Sequence, residues 1–247
     1  NLREVHKIAA ENGIMVVLDG SLISENAYFI KCREAEYKDA SILQIIQEMV
    51  SNCDIIYLSG RKSTTVRGGL IATNNRKHFE AIRPWLPVYE GFLTYGGMSS
   101  KEMEAMAVGM REMTEYSVAG SSADLIQFLV EKLDGMGVPV VTPPGGLAGH
   151  VDAGKFAPHL GSFDYPAAAV TAAIYIASGI RGMERGTMST DRDENGKEMA
   201  SDLELSRLAV PRRVYTMSHM EYVADRVKWL YEHRDMIGPL EFTEEPP

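Results

Sequence analysis

An acidic and a basic residue follow two apolar runs of the sequence. Asp19 comes directly after Ile14–Leu18, and the segment Ser59–Lys62 comes directly after Ile55–Leu58. If both runs are parallel strands, their carboxyl ends lie at one edge of a sheet, where open α/β sheets bind ligands. A lysine amine there can bind an aldehyde, a carboxylate can keep a ring nitrogen protonated, and serine and arginine can bind a phosphate.

These groups together fit pyridoxal phosphate (PLP), which carries an aldehyde, a pyridine nitrogen and a phosphate on one ring. The predicted cofactor residues are therefore Asp19, Ser59, Arg61 and Lys62. Spacing alone also allows a purely structural interpretation. A lysine after a strand is often solvated, and an aspartate at a strand end often caps a turn.

The composition indicates a soluble globular chain without a basic surface. The 247 residues are 45% hydrophobic and carry a net charge of −9, which argues against nucleic acid or an anionic membrane as a partner. The sequence has no apolar run of roughly 18 residues, the length needed to span a bilayer. Two cysteines, Cys32 and Cys53, without metal-ligand spacing favour a cytoplasmic location.

Hydrophobic periodicity places the candidate residues on an α/β framework. Helices are predicted over residues 2–12, 41–51, 75–83, 99–118, 121–134 and 218–233. Strands are predicted at Ile14–Leu18, Ile55–Leu58, Leu70–Thr73 and Glu204–Val210. The order strand, helix, strand in the first half predicts a parallel sheet whose strands are buried on both faces.

A domain boundary is predicted where Pro143-Pro144 meets Gly145-Gly146, because these residues interrupt regular structure. Residues 1–143 would then form part of a large cofactor-binding domain, and residues 144–247 a small α+β domain. The sequence opens inside a helical pattern without an initiator methionine, so we expect a fragment of a longer protein.

Five motifs in the same order make the chain similar to the tyrosine phenol-lyase and tryptophanase family, which are PLP-dependent β-eliminating lyases. The motifs are DGSLISENAYFI, LSGRK, VYEGFLTYGGMSSKEMEAMAVGMRE, GIRGMERG and RLAVPRRVYT. The resemblance implies PLP-dependent fold type I, with this chain matching the C-terminal half. It also implies a homotetramer, or association with an N-terminal half, and a K⁺ ion whose site here stays unknown.

The resemblance assigns roles to residues that match the family motifs. Lys62 falls on the lysine that binds the cofactor aldehyde, Ser59 on a phosphate-binding serine and Asp19 on the partner of the pyridine nitrogen. Arg207 falls on the arginine that binds the substrate carboxylate. Arg185 falls on the position where tyrosine phenol-lyases carry arginine and tryptophanases an apolar residue.

Two more residues complete the predicted site. Arg61 keeps the positive charge of the first basic residue in the family motif, and Tyr95 matches a tyrosine in a loop expected near the active site. We therefore predict catalytic roles for Lys62, Arg185 and Tyr95.

The implied reaction is β-elimination of an aromatic amino acid, with L-tyrosine giving phenol, pyruvate and ammonia. Two alternatives stay open. One is tryptophanase or another β-eliminating lyase. The other is a non-catalytic homologue or subunit that needs an N-terminal partner.

The chain also departs from the family pattern. Leu22 stands where the family has an arginine that reaches the cofactor, and Leu147 stands where it has a histidine. His150 follows three residues later and should face the other way if this segment is a strand. The loop between Lys62 and Gly68 is one residue shorter than in the family.

Overall fold

The structure, a computed structural model, describes residues 1–89 and 91–244. The chain divides into two compact units, Asn1–Ser122 and Ala123–Pro247. The boundary predicted between residues 143 and 144 stays a prediction. Glu90 and residues 245–247, which the predicted domains include, lie outside the described residues.

The first unit alternates helices with three short strands. In chain order these are α1 (Leu2–Glu11), β1 (Val17–Asp19), α2 (Ile23–Arg33), α3 (Ile42–Ser51), β2 (Ile55–Ser59), α4 (Gly60–Ser63), β3 (Gly69–Ala72), α5 (Arg76–Ile82), α6 (Leu86–Tyr89), α7 (Ser100–Glu112) and the start of α8 (Tyr116–Gly135). Short 3₁₀ turns lie at Ala35–Tyr37 and Arg83–Trp85.

Two of these helices begin at capping boxes. In α7, Ser99 N donates to Glu102 Oε2 at 2.9 Å while Glu102 N donates back to Ser99 Oγ at 3.4 Å. The same reciprocal pair joins Ser41 and Gln44 at α3. Each box satisfies backbone N–H groups that have no partner inside the helix. The capping box predicted at Ser99 is confirmed.

The sheet of the first unit has the order β1-β2-β3. β1 and β2 are parallel, but β3 is antiparallel to β2, pairing Leu70 with Leu58 and Gly69 with Ser59. The prediction of an all-parallel sheet was therefore wrong at β3. A parallel crossover needs roughly a dozen residues or more, and only residues 60–68 connect these two strands.

The strands of this sheet are less buried than predicted. Within this chain Val17, Tyr57 and Ile71 are 47%, 42% and 54% exposed, whereas Ile55, Ile56 and Leu58 are buried. The predicted strand at residues 14–18 is also displaced, because β1 begins only at Val17. The face that carries Ile56 packs on the core of the unit, and the face that carries Val17 and Tyr57 is more exposed.

Helix α2 was not predicted from the sequence, although it supplies part of the core of the first unit. Its buried residues include the apolar Ile23 and Ala27 but also Ser24 and Glu25, so a clean apolar stripe is missing. The core is completed by α3, β2 and the region after α7. Its buried members are Ile23, Ala27, Ile42, Ile45, Ile46, Ile56, Met113 and Ala119.

The second unit contains an antiparallel sheet covered by helices on one face. Its elements are the remainder of α8, then β4 (Ala148–Asp152), α9 (Ala153–Phe156), α10 (Pro166–Ser178), β5 (Met183–Arg185), β6 (Leu205–Ala209) and α11 (Met217–Glu232), with 3₁₀ turns at Ser162–Asp164, Thr187–Ser189 and Arg234–Met236. The strand order is β4-β6-β5, with both pairs antiparallel.

The core of the second unit forms where α8, α10 and α11 pack on one face of this sheet. Phe156, Ile126, Leu129 and Ile174 are among its fully buried side chains. Full burial of such a side chain contributes about 1.5–3 kcal/mol. Along β4 and β6, alternate residues face this core, so the residues between them lie on the opposite face.

No helix within residues 1–89 and 91–244 combines the length and apolar character that a bilayer crossing requires.

Candidate active site

The carboxyl ends of β1 and β2 lie side by side in the first unit. Asp19 is in register with Tyr57, and Gly20 N donates to Tyr57 O at 2.7 Å just beyond the strand. A Cβ on Gly20 would lie only 2.8 Å from Ile56 Cδ1, so this position favours a residue without a side chain. The predicted meeting of the two segments at one sheet edge is confirmed.

Asp19 is held as a carboxylate by its neighbours at this edge. Ser21 N donates to Asp19 Oδ1 at 2.9 Å. Hydrogen bonds from the Ser21 hydroxyl and backbone lower the pKa of Asp19 below its ordinary 3.8, and Tyr57 and the charge of Lys62 lower it further. The negative charge of Asp19 in turn raises the pKa of Tyr57.

Ser21 also connects Asp19 to the end of β2, because Ser59 N donates to Ser21 Oγ at 3.3 Å. Next to it, buried Ser63 donates its hydroxyl to Ser21 O at 3.1 Å. Asp19 and Ser59 are thus tied to one hydrogen-bonded group at the sheet edge. Sequence reasoning missed Ser21 as part of the site, although a hydroxyl two residues after an aspartate is a recognisable turn pattern.

The lysine and arginine of the LSGRK motif lie on the short helix α4, directly after Ser59. The chain folds back tightly here, since Gly60 N donates to Gly68 O at 2.8 Å and a Cβ on Gly60 would lie 2.7 Å from Val66 O. Lys62 is partly exposed and Arg61 is exposed.

Of the groups that lower the pKa of Asp19, the charge of Lys62 makes the smallest contribution. Over the described ranges 1–89 and 91–244, neither Arg61 nor Lys62 takes part in a salt bridge. Both cations can therefore interact with an incoming ligand.

Tyr95 lies in the loop between α6 and α7 and is 40% exposed. Its ring packs against Phe92 at 5.8 Å between centroids, and Met98 N donates to Tyr95 O at 2.9 Å. Neither contact reaches Lys62, Ser59 or Asp19. The catalytic role predicted for Tyr95 stays a prediction.

A second group of predicted site residues gathers on the open face of the sheet in the second unit. Arg207 on the central strand β6 is opposite His150 on β4 and opposite Met183 on β5. Arg185 pairs with Leu205, two residues along β6 from Arg207, and so lies on the same face.

This face carries positive charge without a carboxylate partner at its arginines. In the part of the chain that the structure describes, neither Arg185 nor Arg207 forms a salt bridge. Burial lowers the pKa of His150, and the charges of Arg207 and then Arg185 lower it further. A site of this kind suits an anionic group that contacts an arginine fork.

Leu147 and His150 take different positions, as the sequence predicts for a strand. Leu147 is only 7% exposed and precedes β4, whereas half-buried His150 lies within β4 on the face of Arg207. Sequence reasoning did not identify His150 as a site residue, because its partner lies on a strand far along the chain.

Glu204 fixes the turn that follows Arg185. This buried carboxylate accepts hydrogen bonds from Thr187 N at 2.8 Å, from the Thr187 hydroxyl and from Ala167 N at 3.0 Å. The turn includes Gly186, where a Cβ would lie 2.2 Å from Glu204 Oε2. Glu204 is a positioning residue that the sequence pattern showed only as the start of a strand.

Comparison with known proteins relates the chain to lyases. The family model described as beta-eliminating lyase matches residues 1–226. Curated tyrosine phenol-lyases of Clostridium tetani and Pasteurella multocida are 43% and 42% identical over the whole chain. One from Lacrimispora saccharolytica is 43% identical and is covered over 53% of its length. The chain spans about half the length of these relatives, 54% for the first two.

Solved structures show the same fold at low sequence identity. Sphingomonas wittichii serine palmitoyltransferase matches with a TM-score of 0.61 and 15% identity, over 96% of this chain and 52% of that one. A structure of SPT with PLP matches with a TM-score of 0.63, 15% identity and the same two coverages. The likeness shows fold type I, and the predicted fold class is confirmed.

The match of the family model to residues 1–226, together with the identity to the curated relatives, confirms the predicted resemblance. The chain belongs to the beta-eliminating lyase family.

Proposed function

We propose that the protein is a PLP-dependent carbon–carbon lyase that catalyses β-elimination of an aromatic amino acid, with L-tyrosine as the preferred substrate. The products would be phenol, pyruvate and ammonia. The observation that carries this proposal is that Asp19 and the Ser59–Lys62 segment lie at one sheet edge, because β1 and β2 are parallel with Asp19 in register with Tyr57. The tyrosine phenol-lyase relatives and the PLP present in a structure of the same fold support it.

The residues at the sheet edge fit PLP by their chemistry. Asp19, ionised at neutral pH, would pair with a protonated pyridine nitrogen, and the amine of the partly exposed Lys62 would bind the aldehyde. Ser59 and Arg61, next to Lys62, would bind the phosphate. Leu22 departs from the family here: it is partly buried at the start of α2 and offers no polar group to the cofactor.

When bound, PLP would withdraw electrons from the α-carbon of the substrate. This chain would supply the binding and proton-transfer groups. Arg207 would hold the substrate carboxylate in a two-pronged hydrogen bond. The Lys62 amine, released from the aldehyde by the incoming substrate amine, would accept the α-proton, and Arg185 would bind the phenol oxygen. The hydroxyl of Tyr95 would donate a proton to the ring carbon as its bond to the β-carbon breaks.

Two alternatives follow from particular residues. A tryptophanase or another β-eliminating lyase would release a different group, although the charged and exposed Arg185 favours a phenol over an indole. A non-catalytic homologue that acts with an N-terminal partner is favoured by Leu22 and Leu147, which replace polar family residues. The homotetramer, the K⁺ site and the cytoplasmic location stay predictions.

A product assay tests the proposal and separates the alternatives. The purified protein is incubated with PLP and either L-tyrosine or L-tryptophan, and phenol, indole and pyruvate are quantified. We expect phenol and pyruvate in equal amounts from L-tyrosine. Indole without phenol would indicate tryptophanase, and the absence of pyruvate from both substrates would favour the non-catalytic homologue.

A further inference from the structure

His150 lies where it can act on whatever binds Arg207. The two residues are directly opposite each other on neighbouring antiparallel strands, and both are partly buried on the open face of the sheet. Side chains at directly opposed positions have Cβ atoms about 4.5–5.5 Å apart. An anion held by the Arg207 guanidinium would therefore come within reach of the imidazole.

We propose that His150 is a second residue of the substrate-carboxylate site and donates a hydrogen bond to the carboxylate that Arg207 binds. This inference rests on the proposed function, because that function supplies the amino acid substrate. It assigns His150 a role that neither the family motifs nor the departure at Leu147 assigns to it.

The charges around His150 give this role a measurable signature. Arg207 on β6 and Arg185 on β5 face it, and both disfavour a second positive charge. Asp152 lies on the same strand, two residues on, but its carboxylate is occupied by Lys155 through Lys155 N at 3.0 Å and Lys155 Nζ at 2.8 Å. Burial and the two arginines therefore keep the free imidazole neutral at neutral pH.

A bound carboxylate would instead favour the charged form of His150. It neutralises part of the positive charge near His150 and accepts a hydrogen bond from the ring, so both effects favour the imidazolium form. The pKa of His150 should rise on binding by about one unit, which corresponds to about tenfold tighter binding of the carboxylate to the protonated form. Binding should weaken as the pH rises through this range.

The test is an NMR pH titration of the histidine side chains with and without a probe. The probe is L-phenylalanine, which has the amino acid group and the ring but no phenol leaving group. Phenethylamine, which lacks only the carboxylate, is its matched control. His150→Gln assigns the His150 signal, and His159 and His219 in the same unit are internal references. We expect L-phenylalanine alone to raise the pKa of His150, and Arg207→Gln to abolish the rise.

A kinetic measurement on the PLP-loaded protein separates contact from mere structural support. His150→Phe, which removes the donor, should raise KM for L-tyrosine several-fold with little change in kcat, and His150→Gln, which keeps an N–H donor, should restore most of the loss. If L-phenylalanine bound through Arg207 without moving the pKa of His150, this inference would be wrong and the proposed function would stand. If no Arg207-dependent binding occurred, this inference would be wrong, and the proposed function would be wrong as well only if the product assay also gave no pyruvate.

Discussion

At the scale of single residues, the site depends on how neighbours set the charge of a few groups. Asp19 is exposed, yet its pKa is lowered because Ser21 donates two hydrogen bonds to it and Lys62 lies near. A carboxylate ionised throughout the neutral range can keep a ring nitrogen protonated. Ser21 therefore supports the proposed cofactor site by keeping Asp19 ionised.

Replacing Ser21 should release Asp19 from this environment. In Ser21→Ala the hydroxyl donor is lost, so the pKa of Asp19 should rise toward its ordinary 3.8. In the folded wild-type protein the pKa of Asp19 lies below its value in the unfolded chain, so ionised Asp19 stabilises the fold at pH values above the unfolded pKa. This stabilisation is lost as the pH falls through the pKa of Asp19 in the folded protein. A titration of the carboxyl carbon by NMR measures the change.

The exposed Ser100→Ala, which changes a hydroxyl far along the sequence, is the control and should leave the pKa of Asp19 unchanged. An equal pKa in wild type and Ser21→Ala would show that Ser21 does not hold the carboxylate.

Arg185 should determine the leaving group. Arg185→Met keeps much of the length but removes the charge, and a hydrogen bond to a charged group contributes about 1.5–3 kcal/mol. The kcat/KM for L-tyrosine should therefore fall roughly 10- to 150-fold. Steady-state phenol release measures it, with Arg181→Met, just before β5, as the control. Unchanged phenol release in Arg185→Met would remove the reason for preferring tyrosine.

At the scale of elements, the strand–turn junctions position the charged side chains. The turn after β5 has no regular ladder to hold it, so buried Glu204 supplies the acceptors for Thr187 and Ala167. Arg185 is the last residue of β5, directly before that turn. The orientation of Arg185 therefore depends on a carboxylate that cannot itself touch the substrate.

Glu204→Gln should destabilise the second unit. The amide has one oxygen where the carboxylate has two, so its NH₂ group would face a backbone N–H donor. That buried donor loses its acceptor, which should lower the free energy of unfolding by about 1–3 kcal/mol. Urea unfolding measures the difference. Glu194→Gln in the exposed loop after β5 is the matched control, for which we expect a change within about 0.5 kcal/mol. Equal destabilisation by both variants would contradict the role of Glu204.

The sequence predicted elements that depend on local signals and missed those that depend on distant ones. Ser99 and Glu102 predict the start of α7 because both partners of the capping box lie within one turn. The predicted helix over 99–118 nevertheless ends at Glu112, and α8 starts at Tyr116, without a glycine or proline to mark the break. The antiparallel direction of β3 follows from the short connection of residues 60–68 between the two strands. The apolar pattern of the strands predicts that they exist but not their relative direction.

The site residues, like the elements, were predicted where the signal is local and missed where it depends on distant segments. Asp19 and Lys62 were predicted together because parallel strands place their carboxyl ends at one edge. His150 was not, since only the register of β4 against β6 brings it opposite Arg207. Register between segments so far apart is fixed by packing of the buried Val151 and Leu208 on the core, not by any short motif.

At the scale of the whole molecule, cofactor binding and folding should be linked. A ligand that binds only the folded state stabilises it by about 2.7 kcal/mol at a concentration of 100 times Kd. We expect saturating PLP to raise the Tm of the protein and Lys62→Ala to reduce the rise strongly. Differential scanning calorimetry measures both, with Lys77→Ala on α5 as the control lysine. A PLP-dependent rise of equal size in Lys62→Ala would place the cofactor elsewhere.

The proposed cofactor site is tested most directly by finding which residue binds the aldehyde of PLP. PLP is added to the purified protein, the visible spectrum is recorded, the adduct is reduced with borohydride, and the labelled peptide is identified by mass spectrometry. We expect an absorption band of bound PLP and a label on Lys62. A label on other lysines, or no label at all, would contradict the proposal that Lys62 binds the cofactor.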